Sequence, residues 1–446
     1  MQNLAEVWLW DKLVGALAWS PDTAIATFEY TPEWVKTGVQ IAPLHMPSQI
    51  DSTRIFHFPQ LNRETYKGLP ACFADTLPDD FGNAVINAWL ARNGRDPQSF
   101  NPLERLLYSG KRGMGALEYA PALRQAQSGN NKLELESLIS MAQQVLDQRA
   151  GVSGQLHTAG NDDLTAILQV GTSAGGARAK ALVAINQTRT EIRSGQVTAP
   201  EGFDHYLLKF DGIAEQGNSR ETFGDPQGFG RMEYAYYLMA KDAGIEMAHC
   251  ELLIDGERAH FLTKRFDRIG NHKLHYQSLC AMDHADFKMP GHYSYEQLFS
   301  VARQLRLTRA EAVEIYRRMV FNIVARNHDD HSKNFGFILP GPRTQWQLAP
   351  AFDVAYSYKP GSPWVNSHQL SMNGKRDNFT HDDLLATAKL ISNFTKEAKT
   401  IIQQIIDVVS EWGTYAHKAE VPAGFTREIK QNLRLDLSPG NGTKKE

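Results

Sequence analysis

Asn327-His328-Asp329-Asp330-His331-Ser332-Lys333-Asn334 is the densest run of polar chemistry in the chain. It holds two carboxylates, two imidazoles, two carboxamides, a hydroxyl and an amine, which a surface loop at a helix end explains poorly. A carboxylate such as Asp329 can orient an attacking hydroxyl and accept its proton. A carboxamide oxygen such as that of Asn334 is a hard ligand suited to Mg²⁺. Beyond Asn334, Phe335-Gly-Phe-Ile-Leu339, the turn-forming Pro340-Gly341-Pro342 and Trp346-Gln-Leu348 read as a β-hairpin. An antiparallel hairpin sets its two ends side by side. Asp353, in Ala351-Phe352-Asp353-Val354, should therefore lie close to Asn334.

Upstream, Thr308-Arg-Ala-Glu311 is a capping box, and Ala312, Ile315, Met319 and Ile323 fall on one helical face. That helix should end near Arg326 and deliver the polar run at its C-terminus. Further back stands a Gly-rich turn, Thr172-Ser173-Ala174-Gly175-Gly176-Ala177, then the apolar run Ala181–Ile185 and a strand at His205–Phe210. A helix from Met232 to Ala243, stopped by Gly244, precedes strands Glu251–Ile254 and His260–Thr263 around an Asp255-Gly256 turn. Strand, strand, helix, strand, strand behind a Gly-rich turn is the order of a protein-kinase small lobe. Asp-x-x-x-x-Asn with a second Asp beyond a hairpin is the layout of a kinase catalytic loop and metal site. The match is not literal: Asn-His rather than His-Arg precedes Asp329, and Val rather than Phe-Gly follows Asp353. In this layout the amides of Gly175 and Gly176 cradle phosphates. Lys209 pairs with the α- and β-phosphates, Glu233 pairs with that lysine, and the backbone of Lys264-Arg265-Phe266 faces an adenine edge. Taken singly, a Gly-rich turn is most often only a turn, Lys209 a strand lysine, Glu233 a first-turn helix acid and Asp353 a cap. Their shared order selects phosphoryl transfer.

The chain has 446 residues, too many for one compact core, and its 42% hydrophobic and 22% charged residues are ordinary for a soluble globular protein. A net charge of −3 gives no global attraction to nucleic acid or anionic membrane. Cys72, Cys250 and Cys280 are widely spaced and form no disulfide or metal pattern, which fits a reducing cytoplasm. The start lacks a signal-peptide pattern and no apolar stretch is long enough to span a bilayer. The expected fold class is α+β, an amino-terminal α+β module packed on a bilobal kinase-like region with a mainly helical large lobe. Residues 1–125 form the module, with strands at Val7–Leu9, Leu13–Ala16, Ile25–Tyr30 and Gly115–Ala120 and a helix at Asn83–Asn93. Residues 126–264 hold a polar connector, one helix near Leu133–Arg149, and the small lobe. Residues 265–437 form the large lobe, with a last helix from Thr395 to Trp412 whose stripe is Ala398, Ile401, Ile402, Ile405, Val408 and Val409. Residues 438–446 read as a disordered tail. Two other classes compete. A His-Asp phosphohydrolase using His328, Asp329 and His331 as metal ligands leaves the Gly-rich turn and Lys209 without a role. A catalytically degenerate kinase-fold regulator, acting by binding alone, leaves a complete set of polar roles without a use. His57, His157 and His205 are read as surface or packing residues.

The residues resemble the HipA family, serine/threonine kinase toxins of bacterial toxin–antitoxin modules. Asn327-His-Asp-Asp-His-Ser-Lys-Asn-Phe335 is close to the family's Asn-x-Asp-x-His-x-Lys-Asn-Phe. Thr172-Ser-Ala-Gly-Gly-Ala-Arg-Ala-Lys180, Tyr206-Leu-Leu-Lys209, Lys264-Arg-Phe-Asp-Arg268 and Pro350-Ala-Phe-Asp353 support it. So do Phe73–Gly82 and Gly113–Leu117 in the amino-terminal module. The resemblance implies ATP and Mg²⁺ as cofactors, Asp329 as the catalytic carboxylate, and Asn334 and Asp353 as metal ligands. It implies nucleotide contacts from Ala174, Gly175, Gly176, Ala177, Arg178, Lys180, Lys209, Glu233, Lys264, Arg265, Phe266, His331 and Lys333. It further implies phosphorylation of a protein serine, in characterised members on an aminoacyl-tRNA synthetase. Autophosphorylation of the Gly-rich loop falls at Ser173, with Thr172 beside it. The implied partner is a small helix-turn-helix antitoxin through which the pair meets DNA. Gly374-Lys375-Arg376 could touch phosphates, but a solvated loop is the simpler reading. Asp330 stands where some members have a small residue; its carboxylate either points to solvent or alters metal affinity.

Overall fold

The computed structural model describes residues 2–48, 54–92, 94–123, 133–149, 179–196, 198–213 and 227–438. They form two compact units, one of Met1–Gly230, His249–Gln277 and Ile338–Thr344, the other of Arg231–Ala248, Ser278–Phe337 and Gln345–Glu446. The class is α+β, as expected.

The first unit carries two antiparallel sheets. Strands β1 (Leu4–Leu9), β2 (Lys12–Ser20), β3 (Ile25–Tyr30), β4 (Ile55–Phe56) and β5 (Leu117–Ala120) lie in the order β4-β3-β2-β1-β5. Along β1, Ala5, Val7 and Leu9 are buried while Leu4 and Glu6 face out, the alternation a half-buried strand requires. The second sheet joins β6 (Lys180–Asn186), β7 (Ile192–Ser194), β8 (Phe203–Lys209), β9 (Cys250–Asp255) and β10 (Arg258–Lys264) in the order β7-β6-β8-β10-β9. Ala181, Val183 and Ile185 of β6 share a core with Val85 and Leu90 of helix Asp80–Arg92 and with Leu138 and Ala142 of helix Leu135–Arg149. One hydrophobic core thus serves amino-terminal helices and the second sheet alike. β9 and β10 pair as expected, but Asp255 still pairs with Arg258, so the two-residue turn is Gly256-Glu257, one position later than the Asp255-Gly256 turn read from the sequence, with Gly256 at a φ of 57°.

Asp211, just past β8, ties that sheet to the Gly228–Gly230 stretch of its own unit. Its carboxylate accepts from the amides of Gly228 (2.8 Å), Gly230 (3.4 Å) and Ala259 (3.2 Å), and its own N–H donates to His260 Nδ1 at 2.9 Å. Gly230 is obligatory there, because a Cβ would meet the Ala259 carbonyl oxygen at 2.0 Å.

The second unit is mainly helical. Its central helix, Arg309–Val324, opens on the expected Thr308–Glu311 capping box and buries Ile315, Met319 and Ile323. Tyr236 meets Phe321 and Trp412 edge-on or tilted, and its hydroxyl donates to the Ala325 carbonyl at 2.6 Å. Helix Thr395–Ser410 buries Ala398, Ile401, Ile402, Ile405 and Val409, the stripe read from its periodicity. It stops at Ser410, and a separate helix, Trp412–Lys418, follows. Three further helices, Tyr295–Gln304, His381–Ala388 and Ala423–Asn432, were not anticipated as elements, although two carry capping boxes at Ser294 and Thr380. Among the described residues, no helix is long and apolar enough to cross a membrane.

Candidate active site

Helix Arg309–Val324 ends one residue before Ala325, and Arg326 takes a left-handed turn at φ 58°. The chain then runs irregularly through residues 327–331 into a short 3₁₀ turn, Ser332–Asn334. Asp329 faces outward, its side chain 41% exposed, with His331 Nε2 at 3.6 Å from its carboxylate. Asn334 closes the loop. Its Nδ2 donates to the Asp329 carbonyl at 2.7 Å, and its backbone N–H donates to the His331 carbonyl at 2.9 Å. The amide nitrogen being committed, the Asn334 side-chain oxygen is the atom left for a cation, which fits a hard divalent ion. The turn is anchored from beneath by Ser332, whose hydroxyl donates to the Ala285 carbonyl. Phe287 is a shelf beside it. The His331 ring lies 5.5 Å from the Phe287 ring, and Lys333 Nζ lies 4.9 Å over it.

The hairpin forms between Gly336–Leu339 and Gln347–Leu348, and its base closes where the Ala349 N–H donates to the Gly336 carbonyl at 2.9 Å. The chain on either side of the hairpin, carrying Asn334 and Asp353, is thereby held together. The returning strand is also gripped by the central helix. Glu311 accepts from Leu348 N–H at 2.8 Å, and Arg318 donates to the Ala349 carbonyl at 2.9 Å and to Glu314 at 2.7 Å. Ala351 N–H donates to the Glu246 carbonyl at 2.8 Å. Out of this clamp Asp353 emerges at φ 55°, in the left-handed region. That conformation is uncommon outside glycine and collects at functional positions.

Asp330 corrects the sequence reading. It points neither to solvent nor toward a cation, but inward, and is 1% exposed. Its carboxylate accepts from Tyr295 Oη (2.7 Å), His368 Nδ1 (2.9 Å) and the Gln369 amide (2.7 Å). Burial pushes its pKa up, but His368 and these donors outweigh it and hold the carboxyl below its usual range. His328, its ring tilted against that of His368 with centroids 4.1 Å apart, is the reverse case. Burial first, then His368 and Arg326, push it down to about 3, against the opposing pull of Asp330. His328 is therefore a neutral packing imidazole rather than a charged one.

The remaining expected site residues fall as follows. Lys209 ends β8, largely buried, with Nζ 5.8 Å from the Phe261 ring. Glu233 is buried on the helix Phe229–Asp242. Lys180 heads β6 in an ion pair of 2.9 Å with Asp79, the two side chains only 3% and 4% exposed. The backbone amides of Lys264 and Arg265 donate to the carbonyls of His249 and His205. The Arg265 side chain is buried against Asp267 and the Gly113 carbonyl. Phe266 stacks at a tilt on Tyr276, ring centroids 5.5 Å apart. Lys375 pairs with Asp383 at 2.7 Å and Arg376 donates to the His368 carbonyl, so that turn is committed within its own unit. Thr172, Ser173, Ala174, Gly175, Gly176, Ala177 and Arg178 lie outside the described residues. Sequence reasoning missed Tyr295, Arg318 and His368. None sits within a local pattern that marks it, although the Ser294 capping box could have located the helix that Tyr295 opens.

A family profile described as HipA-like C-terminal domain matches residues 172–412, and one described as HipA N-terminal domain matches residues 5–120. No curated protein sequence matches the chain. Among solved structures, the chain is similar to HipA of Shewanella oneidensis MR-1, from a toxin–antitoxin complex with HipB and operator DNA. The TM-score is 0.65 at 15% identity, over 96% of this chain and 95% of that one. A match to the Helicobacter pylori proinflammatory kinase CtkA has a TM-score of 0.32 at 14% identity, over 51% of this chain and 92% of that one.

Proposed function

The chain belongs to the HipA family, and from that premise we propose that it is a Mg²⁺-dependent protein kinase, transferring the γ-phosphoryl group of ATP to a protein serine or threonine. The observation that carries this reading is the loop Asp329–Asn334. It presents a carboxylate outward, commits the Asn334 nitrogen inward, and is joined by a closed hairpin base to a strained Asp353. Asp329 orients the acceptor hydroxyl and takes its proton. His331 stands beside it. Asn334 Oδ1 and the Asp353 carboxylate would hold Mg²⁺, which supplies neutralisation of the charge on the phosphates. Lys209, supported by Glu233, holds the nucleotide phosphates together with the Gly-rich segment. The backbone of Lys264-Arg265-Phe266 would face the base.

Regulation is proposed on the family resemblance. Phosphorylation at Ser173, or at its neighbour Thr172, places a dianion against the phosphate cradle and repels ATP. The proposed acceptor is a serine of an aminoacyl-tRNA synthetase. The proposed partner is a small helix-turn-helix antitoxin, with DNA reached only through it. The Shewanella relative, solved with HipB and operator DNA, supports that assembly. The proposed compartment is the cytoplasm, which three buried cysteines outside any disulfide fit.

Calorimetry with a non-hydrolysable ATP analogue tests the nucleotide site. Binding should require Mg²⁺ and be lost in Asn334→Leu and in Asp353→Ala. Equal binding with and without Mg²⁺, or in both variants, would remove these residues from the metal site.

A further inference from the structure

Asp330 adjoins the proposed catalytic carboxylate, and the chemistry above makes no use of it. We propose that Asp330 and His368 form a positioning pair that locks the catalytic loop to the segment downstream of Asp353, holding Asp329 and Asn334 in register for phosphoryl transfer. The inference rests on the kinase reading.

The stretch between Asn327 and Asp330 has no helix or strand ladder to fix it. Its shape must come from side chains. Asp329 turns outward and its neighbour Asp330 turns inward. A carboxylate sealed from water is costly unless its oxygens are fully bonded, and Asp330 has three donors from two separate places. Tyr295 opens the helix Tyr295–Gln304, whereas His368 and Gln369 belong to the chain beyond Asp353.

The Tyr295 branch closes into a circuit. Asn322, on the central helix, donates to Tyr295 Oη at 3.2 Å and accepts from Asn327 Nδ2 at 2.9 Å. The two ends of the Asn327–Asp330 stretch are thus tied to one bonded pair, Asn327 to Asn322 and Asp330 to Tyr295. On the other side, Asn334 holds the Asp329 carbonyl at 2.7 Å. Asp329 is thus held through its own carbonyl and through its neighbour Asp330.

The His368 branch is equally braced. The His368 N–H donates to the Arg376 carbonyl at 2.9 Å, and Arg376 Nε returns a bond to the His368 carbonyl at 2.8 Å. The His368 ring packs on His328, whose Nε2 faces an Arg326 N–H at 3.3 Å and so acts as an acceptor. With Asp330 ionised and acceptor-only, His368 Nδ1 must carry the proton of their shared bond. Gln369 continues the connection, its carbonyl accepting from Gly291 N–H at 2.7 Å. A displacement of Asp330 would move the catalytic loop and the downstream segment together, and misplacement of reacting groups by about 1 Å costs on the order of 10²-fold in rate.

The test uses the full-length chain with Mg²⁺ and γ-labelled ATP. It follows label lost from ATP in single turnover, with analogue affinity and thermal melting measured in parallel. Asp330→Asn keeps the shape and one acceptor oxygen, so it should fold, bind the analogue within about twofold of wild type and turn over roughly tenfold more slowly. Asp330→Ala should lose roughly 10²-fold. His368→Gln should resemble Asp330→Asn, and the double variant should be no slower than the slower single, because the two act as one unit. Folded variants at the wild-type rate, losses that simply add, or loss of affinity in step with melting would each overturn the positioning role. A wild-type chain that binds the analogue but turns over no ATP would instead overturn the kinase reading beneath it.

Discussion

Asp353 shows how a single torsion can separate function from stability. Its φ of 55° costs a non-glycine residue on the order of 1 kcal/mol. Glycine removes that strain but adds about 0.5–1 kcal/mol of chain entropy. On these torsional terms alone Asp353→Gly changes stability little, and it should abolish phosphoryl transfer. A large fall in melting temperature would assign Asp353 a structural task instead. The buried imidazoles give a second prediction. Burial holds His328 at about 3 and His275, whose ring faces the Ile41 carbonyl, at about 4. The unfolded chain, with histidines near 6.5, binds these protons more readily. The stability the two contribute is complete above about pH 6.5 and is lost as pH falls toward 4 and 3, by about 1.4 kcal/mol per unit for each. Denaturant unfolding at pH 7 and pH 5 should show this loss, and His328→Gln should reduce it. A pH-independent midpoint over that interval would contradict the neutral assignment.

The central helix Arg309–Val324 shows what was legible in the sequence and what was not. Its capping box and buried face repeat at fixed local spacing, so both could be read directly. So could the pairing of β9 with β10, its turn misplaced by one residue, and the spacing of Asp329 and Asn334. Arg318 could not be read this way, because its partners Glu246 and Ala349 are distant in sequence and follow no period. The same holds for the Tyr295 and His368 partners of Asp330, and for the Asp79 partner of Lys180. A reading of one local segment placed Asp330 at a solvent or metal face, whereas tertiary packing turned it inward. Arg318 is buried between Glu314 and two backbone carbonyls, so Arg318→Met should leave the Glu314 carboxylate without its cation and take a donor from the Ala349 carbonyl. Removing one partner of a buried pair costs roughly 3–5 kcal/mol. Chemical denaturation should show that loss, and phosphoryl transfer should fall with it, because the same clamp leads into Asp353. A loss under about 1 kcal/mol would mean that the clamp does not hold the hairpin.

At the scale of the chain, Lys209 belongs to one compact unit, and the Asp329 loop, Asp353 and Glu233 belong to the other. The family resemblance read from short motifs is matched by two profiles covering residues 5–120 and 172–412, and by a shared fold at 15% identity. Such low identity with near-complete coverage is expected where hydrophobic pattern and turn chemistry, rather than particular side chains, specify the architecture. Function rests on far fewer atoms and is tested separately. The most direct measurement is incubation of the purified chain with Mg²⁺ and γ-labelled ATP, followed by intact mass and peptide mapping, beside Asp329→Gln. The account predicts a phosphate on the wild-type chain, mapping to Ser173 or Thr172, and none on the folded variant. Equal phosphate on both proteins, or a wild-type chain that neither takes up phosphate nor binds Mg–ATP, would contradict it.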